Sequence, residues 1–317
     1  MKQLKRLTFA DKHCAFTDLT HFNGALFCCF REAQDHVSGD GILRVLCLTK
    51  DGQIHYQQRL TITGADLRDP KLCITNKNEL MLLAYARYAN AENKTTSTEN
   101  LVWVSQTGDS WSSPSSLGLN LWWLWRVRFN QSSVFPEGYG FAYNRRADRI
   151  DFYQGDPKRH LQRVKQGALS LDKHGLGYPN ESDLIIEDDG KIIALIRRDA
   201  DSFSAVLGES YPPYTTWHWR DLNEYIGGPV MYRLHAEKYI VAGRAWTGKQ
   251  LITRLWLLNP ITAELNVLAT LPSAGDNSYP GISLVGNELY VSYYSSHIDN
   301  RSQIYLAHYE VSDSLIK

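Results

Sequence analysis

The chain has 317 residues, and its 34 basic residues are matched by 34 acidic ones, so no global field favours nucleic acid or an anionic membrane as a partner. An aromatic fraction of 12%, with nine Trp and eighteen Tyr, suits β-strands, and no long amphipathic helical pattern occurs. No apolar run approaches the ~20 residues of a membrane helix, since LWWLW at 121–125 is far too short. The opening stretch MKQLKRLTFADKHC is basic but has no apolar core or cleavage site, so a cytoplasmic protein is expected. Cys14, Cys28, Cys29, Cys47 and Cys73 are odd in number and sit in apolar strand contexts, which predicts buried free thiols.

In chain order, a hairpin pattern appears first at CAFTDLTHFNGALFCCFREA (14–33), with Asn23-Gly24 as its turn. It returns at 67–88 and at 124–146. It is clearest at 177–199, GYPNESDLIIEDDGKIIALIRRD, where an acidic turn at Asp188-Asp189-Gly190 joins two apolar strands with polar outer ends. Two further hairpins follow at 227–246 and 278–297. Taking Asp18, Asp69, Arg126, Glu181, Gly228 and Tyr279 as marks, the repeat is about 50 residues, and the segments between hairpins leave room for two outer strands each. This predicts an all-β, six-bladed β-propeller over 1–317, with blades starting near 14, 67, 124, 178, 227 and 278. The last repeat has one outer strand, at 303–311, before the sequence stops. Residues Lys2 to Phe9 are therefore expected to supply the missing strand and close the last blade.

In such a ring the start of each first strand and the end of each second strand converge on one axial pocket. That pocket is expected to receive Asp18 with Arg31 and Glu32, Arg68 with Asp69, and Trp125 with Arg126. The later blades add Glu181 with Arg197 and Arg198, then Arg244, then Tyr279 with Tyr293 and Tyr294. Burying charge without a partner costs several kcal/mol, so the concentration is either a network plugging the channel or a ligand site. Arginines outnumber acids, and guanidinium forks with spare charge suit a carboxylate or phosphate.

The order Glu181, Arg197, Arg244, Tyr279 resembles that of the sialidase superfamily, six-bladed propeller glycosidases, and Ser105 to Trp111 (SQTGDSW) looks like a degenerate Asp-box. The resemblance implies that Tyr279 is a nucleophile, Glu181 its base, and Arg197 and Arg244 two of three arginines binding a substrate carboxylate. It implies an acid/base aspartate in the loop REAQDHVSGDG, where Asp40 is the choice and Asp35 and His36 are rivals. The family's first arginine is absent, because its place reads Phe16-Thr17-Asp18-Leu19. Arg31, Arg68 and Arg126 are the candidates to complete the clamp, with Asp18, Asp69, Trp125 and Tyr294 as further substrate contacts. The expected partner is a carboxylate-bearing carbohydrate substrate.

Other readings remain open at this level. Asp18, Asp69 and Glu181, with the Arg68-Asp69-Pro70 triplet, resemble the three carboxylates of five-bladed furanosidase-type propellers. A uronate lyase and a non-catalytic carbohydrate-binding propeller are the remaining alternatives. The ten histidines show no metal spacing and no glycine-rich phosphate loop precedes a helix, so neither metal nor cofactor is expected.

Overall fold

The structure, a computed structural model, describes residues 1–9, 11–131 and 137–312. The turn of the third hairpin, 132–136, and the last stretch, 313–317, lie outside the described residues. Six four-stranded antiparallel sheets follow one another as the blades of a propeller. Their innermost strands are His13–Phe22, Ala65–Ile74, Trp123–Phe129, Pro179–Ile186, Gly227–His235 and Asn277–Val285.

The inner strands are packed on both faces, which is why they read as continuous apolar runs, while outermost strands such as Ile54–Leu60 and Glu264–Leu271 alternate toward solvent. Neighbouring blades bury their faces against each other. Phe22, Phe27 and Val45 of the first blade meet Leu72, Leu82 and Trp103 of the second, and Ile193 and Leu207 of the fourth meet Met231 and Trp256 of the fifth. The five cysteines are buried free thiols within these strands.

The last blade is closed as expected. Gln3–Arg6 pairs antiparallel with Gln303–Glu310, with Gln3 opposite His308 and Arg6 opposite Tyr305. Lys2 adds salt bridges to Glu288 and Glu310, and the buried Leu7 packs beneath the strand. The closure removes the open edge that the last sheet would otherwise present.

Every innermost strand carries a register shift where it enters the ring: between Ala15 and Asp18, Arg68 and Lys71, Leu124 and Arg126, Pro179 and Ser182, Gly227 and Val230, and Ser278 and Gly281. A β-bulge leaves its extra residues out of the ladder and re-aims their side chains. Four of these bulges use a positive φ: Phe16 at 61°, Asp69 at 45°, Gly228 at 58° and Tyr279 at 48°. In three of the four the next residue is Pro70, Pro229 or Pro280, which has no N–H to leave unpaired. The bulges, repeated six times, point a ring of side chains at the axis.

Candidate active site in the axial cavity

At the end of the ring where the bulges sit lies a cavity of about 630 Å³, lined among others by Phe16, Asp69, Trp125, Glu181 and Tyr279. These are bulge residues of blades one, two, three, four and six. The Tyr279 hydroxyl donates to Glu181 Oε1 at 2.5 Å. Arg197, from the second strand of the fourth blade, donates through Nη1 to Glu181 Oε2 at 2.7 Å and to the Tyr279 oxygen at 3.0 Å. The Gly228 N–H gives Glu181 Oε2 a further bond of 2.7 Å. Glycine is required there, since a Cβ would lie 2.8 Å from the Tyr279 ring on a backbone already at positive φ.

The electrostatics assign a resting state. Burial alone would push the Glu181 carboxyl up, but the Arg197 charge and the bonds from Tyr279, Arg197 and Gly228 outweigh it, and the group lies below its ordinary value. Burial and the Glu181 charge push the Tyr279 phenol well above its ordinary value, against the opposing pull of Arg197 and Arg244. The pair therefore rests as a carboxylate receiving a neutral phenol's proton, a short charge-assisted hydrogen bond. Arg244 sits over the Tyr279 ring at 5.0 Å, donates to the Asn277 carbonyl at 2.9 and 2.6 Å, and donates to the Tyr294 hydroxyl at 2.9 Å. Neither Arg197 nor Arg244 forms the wall of the cavity, and their side chains are 14% and 13% exposed.

The other expected residues divide sharply. Asp69 lines the cavity, and burial first, then the Glu181 charge, raise its carboxyl to about 6 although Lys71 opposes this; its Oδ1 is buried with no hydrogen-bond partner. Arg68 lines the cavity too, but its guanidinium is engaged by Asp66 at 2.6 Å and by the carbonyls of Val37 and Ser38. Trp125 reaches the cavity with one edge while the rest is core, with Lys71 4.9 Å from its ring. Tyr294 is fully buried and bonds Asp276 at 2.8 Å, so it supports Arg244 and does not line the cavity.

Several placements correct the sequence reading. Asp18 and Arg126 are outside the cavity and pair with each other at 2.6 Å, with the Leu72 N–H on the same carboxylate oxygen. Asp18 is back in the ladder opposite Cys29, past the bulge that exposes Phe16. Arg31 is fully buried against Asp66 at 2.9 Å and the carbonyls of Asp35 and Ser38. Arg198, one residue after Arg197, turns to Asp201, and Glu32 turns to Arg44. Asp40 does not line the cavity, because its carboxylate accepts the Gln34 N–H at 3.1 Å; of the three residues weighed in that loop, His36 is the one that lines it. Without Asp18 the three-carboxylate arrangement loses a member, and no candidate guanidinium takes the place of the missing first arginine. That place is filled by Phe16, whose ring meets Tyr279 at 5.2 Å.

The cavity also has a wall whose arginines the sequence reading left out. Trp123 is stacked on Tyr85 at 3.9 Å and 4°, and Arg87, Arg145 and Arg146 stand around this shelf. Arg87 and Arg145 follow the rule that selected Arg197 and Arg244, since they lie at the ends of second strands, in AYARYA and AYNRR. Applying that rule to every blade finds them. Among the described residues the convergent His, Cys, Asp and Glu atoms form one group, His13, His36 and Asp276, drawn from the adjacent first and sixth blades. The group is closed by its own hydrogen bonds: both imidazoles meet Asp276 Oδ2, at 2.9 and 2.7 Å. The degenerate Asp-box is a turn, with Ser105 Oγ accepting the Gly108 N–H at 2.7 Å and Trp111 packed against the core.

No family model matches the sequence, and no curated protein sequence matches it either. Solved structures do. A protein of unknown function from Dyadobacter fermentans superposes with a TM-score of 0.79 at 16% identity, covering 98% of this chain and 100% of that one. Phage phi92 endosialidase superposes at 0.71 with 8% identity, covering 98% of this chain and 69% of that one. Trypanosoma rangeli sialidase in complex with the inhibitor DANA superposes at 0.67 with 10% identity, covering 94% of this chain and 55% of that one, so the chain spans about half that enzyme's length. The fold defines a sialidase-like six-bladed propeller.

Proposed function

We propose that the protein is a glycoside hydrolase that attacks a carboxylate-bearing sugar with Tyr279. An anomeric carbon next to a carboxylate repels an anionic carboxylate nucleophile, so a neutral phenol activated at the moment of attack is the workable alternative. Glu181, ionised and 2.5 Å from the phenol, is positioned to take its proton. Arg197 and Arg244 favour the phenolate that would develop, and the arginines that line the cavity, Arg87, Arg145 and Arg146, supply the cationic field for the substrate's carboxylate. Asp69, with its carboxyl raised to about 6, offers a donor or acceptor to a sugar hydroxyl on the same cavity floor. The sialidase neighbours include T. rangeli structures holding sialic acid and a difluorosialic acid covalent intermediate, which makes an acidic nonulosonic sugar the first substrate class to test.

The observation that carries this reading is the triangle of Tyr279, Glu181 and Arg197, whose three groups come from two blades and meet within 3.0 Å. The test is a panel of 4-nitrophenyl and methyl glycosides of N-acetylneuraminic, glucuronic and galacturonic acids, assayed with the wild type, Tyr279→Phe and Glu181→Gln. Activity is expected on an acidic glycoside and is expected to be lost in both variants. Activity that both variants keep would remove the mechanism.

A further inference from the structure

The loop 34–41 joins the second and third strands of the first blade, Ala25–Ala33 and Ile42–Leu48. Both of its carboxylates are occupied by the loop itself. Asp35 Oδ1 accepts the N–H groups of Val37 and Ser38 at 2.8 and 2.6 Å, and Asp40 accepts that of Gln34. Arg31 ties the loop down from below through the carbonyls of Asp35 and Ser38. What this fixed loop presents to the cavity is His36 and the apolar Val37, of which His36 alone can carry a proton.

His36 is held from one side only. Its Nδ1 meets Asp276 Oδ2 at 2.7 Å, and its ring stands edge-on to Phe16 at 4.9 Å, with Phe16 in turn 5.2 Å from Tyr279. With Nδ1 engaged as the donor, Nε2 is the nitrogen free to exchange a proton with a ligand. Asp276 is itself fixed, since Oδ1 accepts from Tyr294 at 2.8 Å and His13 shares Oδ2. Burial would raise the Asp276 carboxyl, but the bonds from His13, His36 and Tyr294 draw it well below its ordinary value, so it remains an anion able to support an imidazolium.

We propose that His36 is the catalytic acid and base of the glycosidic reaction, with Asp276 as its positioning residue. The proposal rests on the hydrolase reading given above and names the proton donor which that reading leaves open. In the first step the Tyr279 oxygen forms a bond to the anomeric carbon, the phenolic proton passes to Glu181, the bond to the leaving oxygen breaks, and that oxygen takes the proton from His36 Nε2. In the second step a water gives a proton to His36 Nε2 as its oxygen bonds to the anomeric carbon. The bond to Tyr279 breaks, and the phenolate recovers its proton from Glu181. Water is the sole co-reactant and both residues return to their starting forms.

Asp69 is the competing donor, and two observations place it second. It lies close enough to the nucleophile pair for the Glu181 charge to help raise its carboxyl and for its own charge to help raise the Tyr279 phenol, whereas a leaving group departs on the side away from the nucleophile. Its side chain is also buried, while His36 is 46% exposed and can exchange protons with solvent between turnovers.

The test uses the full chain and the same glycosides. His36→Ala is expected to lose on the order of 10²- to 10⁴-fold in kcat/KM on methyl glycosides, whose leaving group needs a proton. On 4-nitrophenyl glycosides, whose leaving group does not, kcat/KM is expected to fall by less than about 10-fold. Sodium azide, which needs no base, is expected to restore turnover on 4-nitrophenyl substrates with the glycosyl azide as product. Asp276→Asn is expected to steepen the dependence on leaving group in the same sense by a smaller factor, an effect that loss of packing alone would not produce. If activity needs Tyr279 and Glu181 but His36→Ala leaves both substrate kinds equally fast, or if Asp69→Asn shows this leaving-group signature instead, His36 is not the donor and the hydrolase reading stands. A wild type inactive on the whole panel overturns both.

Discussion

Two clusters of buried charge are built on the same inner strands, two or three residues apart, and they are finished in opposite ways. In the cluster outside the cavity, Asp18 receives Arg126 and the Leu72 N–H, while Asp183 receives Arg128 at 2.9 and 2.7 Å and the Met231 N–H at 2.8 Å. These bonds run between the first five blades, and Arg128 and Arg126 hold the Asp183 carboxyl below its ordinary value against the effect of burial. In the cluster facing the cavity, Asp69 keeps an unpartnered oxygen and Glu181 is bound by a phenol whose proton can move. Residue types alone do not separate a staple from a site. The separation comes from which carboxylates are saturated by fixed donors and which face a space that a ligand can enter.

The largest test of this contrast is catalytic. Tyr279→Phe and Glu181→Gln are expected to lower kcat on the order of 10²- to 10⁴-fold or more while leaving the melting temperature within a few degrees, as measured by assay and circular dichroism on the same samples. Asp18→Asn should behave in the reverse sense. It removes the closer of Arg126's two buried counter-charges, leaving Asp183 at 3.6 Å, and is expected to cost about 1–3 kcal/mol in urea unfolding, and replacing both partners by Leu and Met is expected to recover most of that loss. A loss of activity from Asp18→Asn with unchanged stability would erase the distinction between the clusters.

Asp69 gives a finer test with a defined sign. Its folded-state value of about 6 lies above the ordinary carboxylate value of 3.8, so the folded state binds the proton more tightly and wild-type stability falls as pH rises through that interval. Asp69→Asn is expected to remove that fall, worth roughly 3 kcal/mol between pH 4 and 7 at 1.36 kcal/mol per unit. Asp183 works in the opposite direction: its stabilisation is present above the ordinary carboxylate range and is lost as pH falls below it. The smallest effect is expected from Gly228→Ala, about 1–3 kcal/mol for a strained backbone. It should be accompanied by reduced kcat, since the new Cβ displaces the Tyr279 ring.

The ring was readable because its hairpins recur at about 50 residues, and the second half of the site because Glu181, Arg197, Arg244 and Tyr279 keep the order of the family they resemble; three of the bulges are also marked by a proline. Pro229 and Pro280 follow Gly228 and Tyr279, and Pro70 follows Asp69, so the residue that leaves the ladder is signposted in three blades. The first and third blades carry no such mark. In the first, the bulge is Phe16-Thr17, and in the third it is one residue long at Trp125. A shift of one position decides which neighbour faces the axis, and for that reason Asp18 and Arg126 were assigned to the cavity while Phe16 was not. The choice among Asp35, His36 and Asp40 was illegible for a different reason. It depends on which carboxylates the loop spends on its own backbone N–H groups, and on Asp276, which lies 240 residues further along the chain.

The sixth sheet, which carries Tyr279, is bordered by a strand from the opposite terminus. Because Gln3–Arg6 pairs with Gln303–Glu310 across nearly the whole of the ring, the sheet that seats Tyr279 is complete only when the ring is closed. The latch is thereby tied to the cavity: freeing the Gln3–Arg6 strand would loosen the seat of Tyr279 while leaving Glu181 and Arg197 together in the fourth blade.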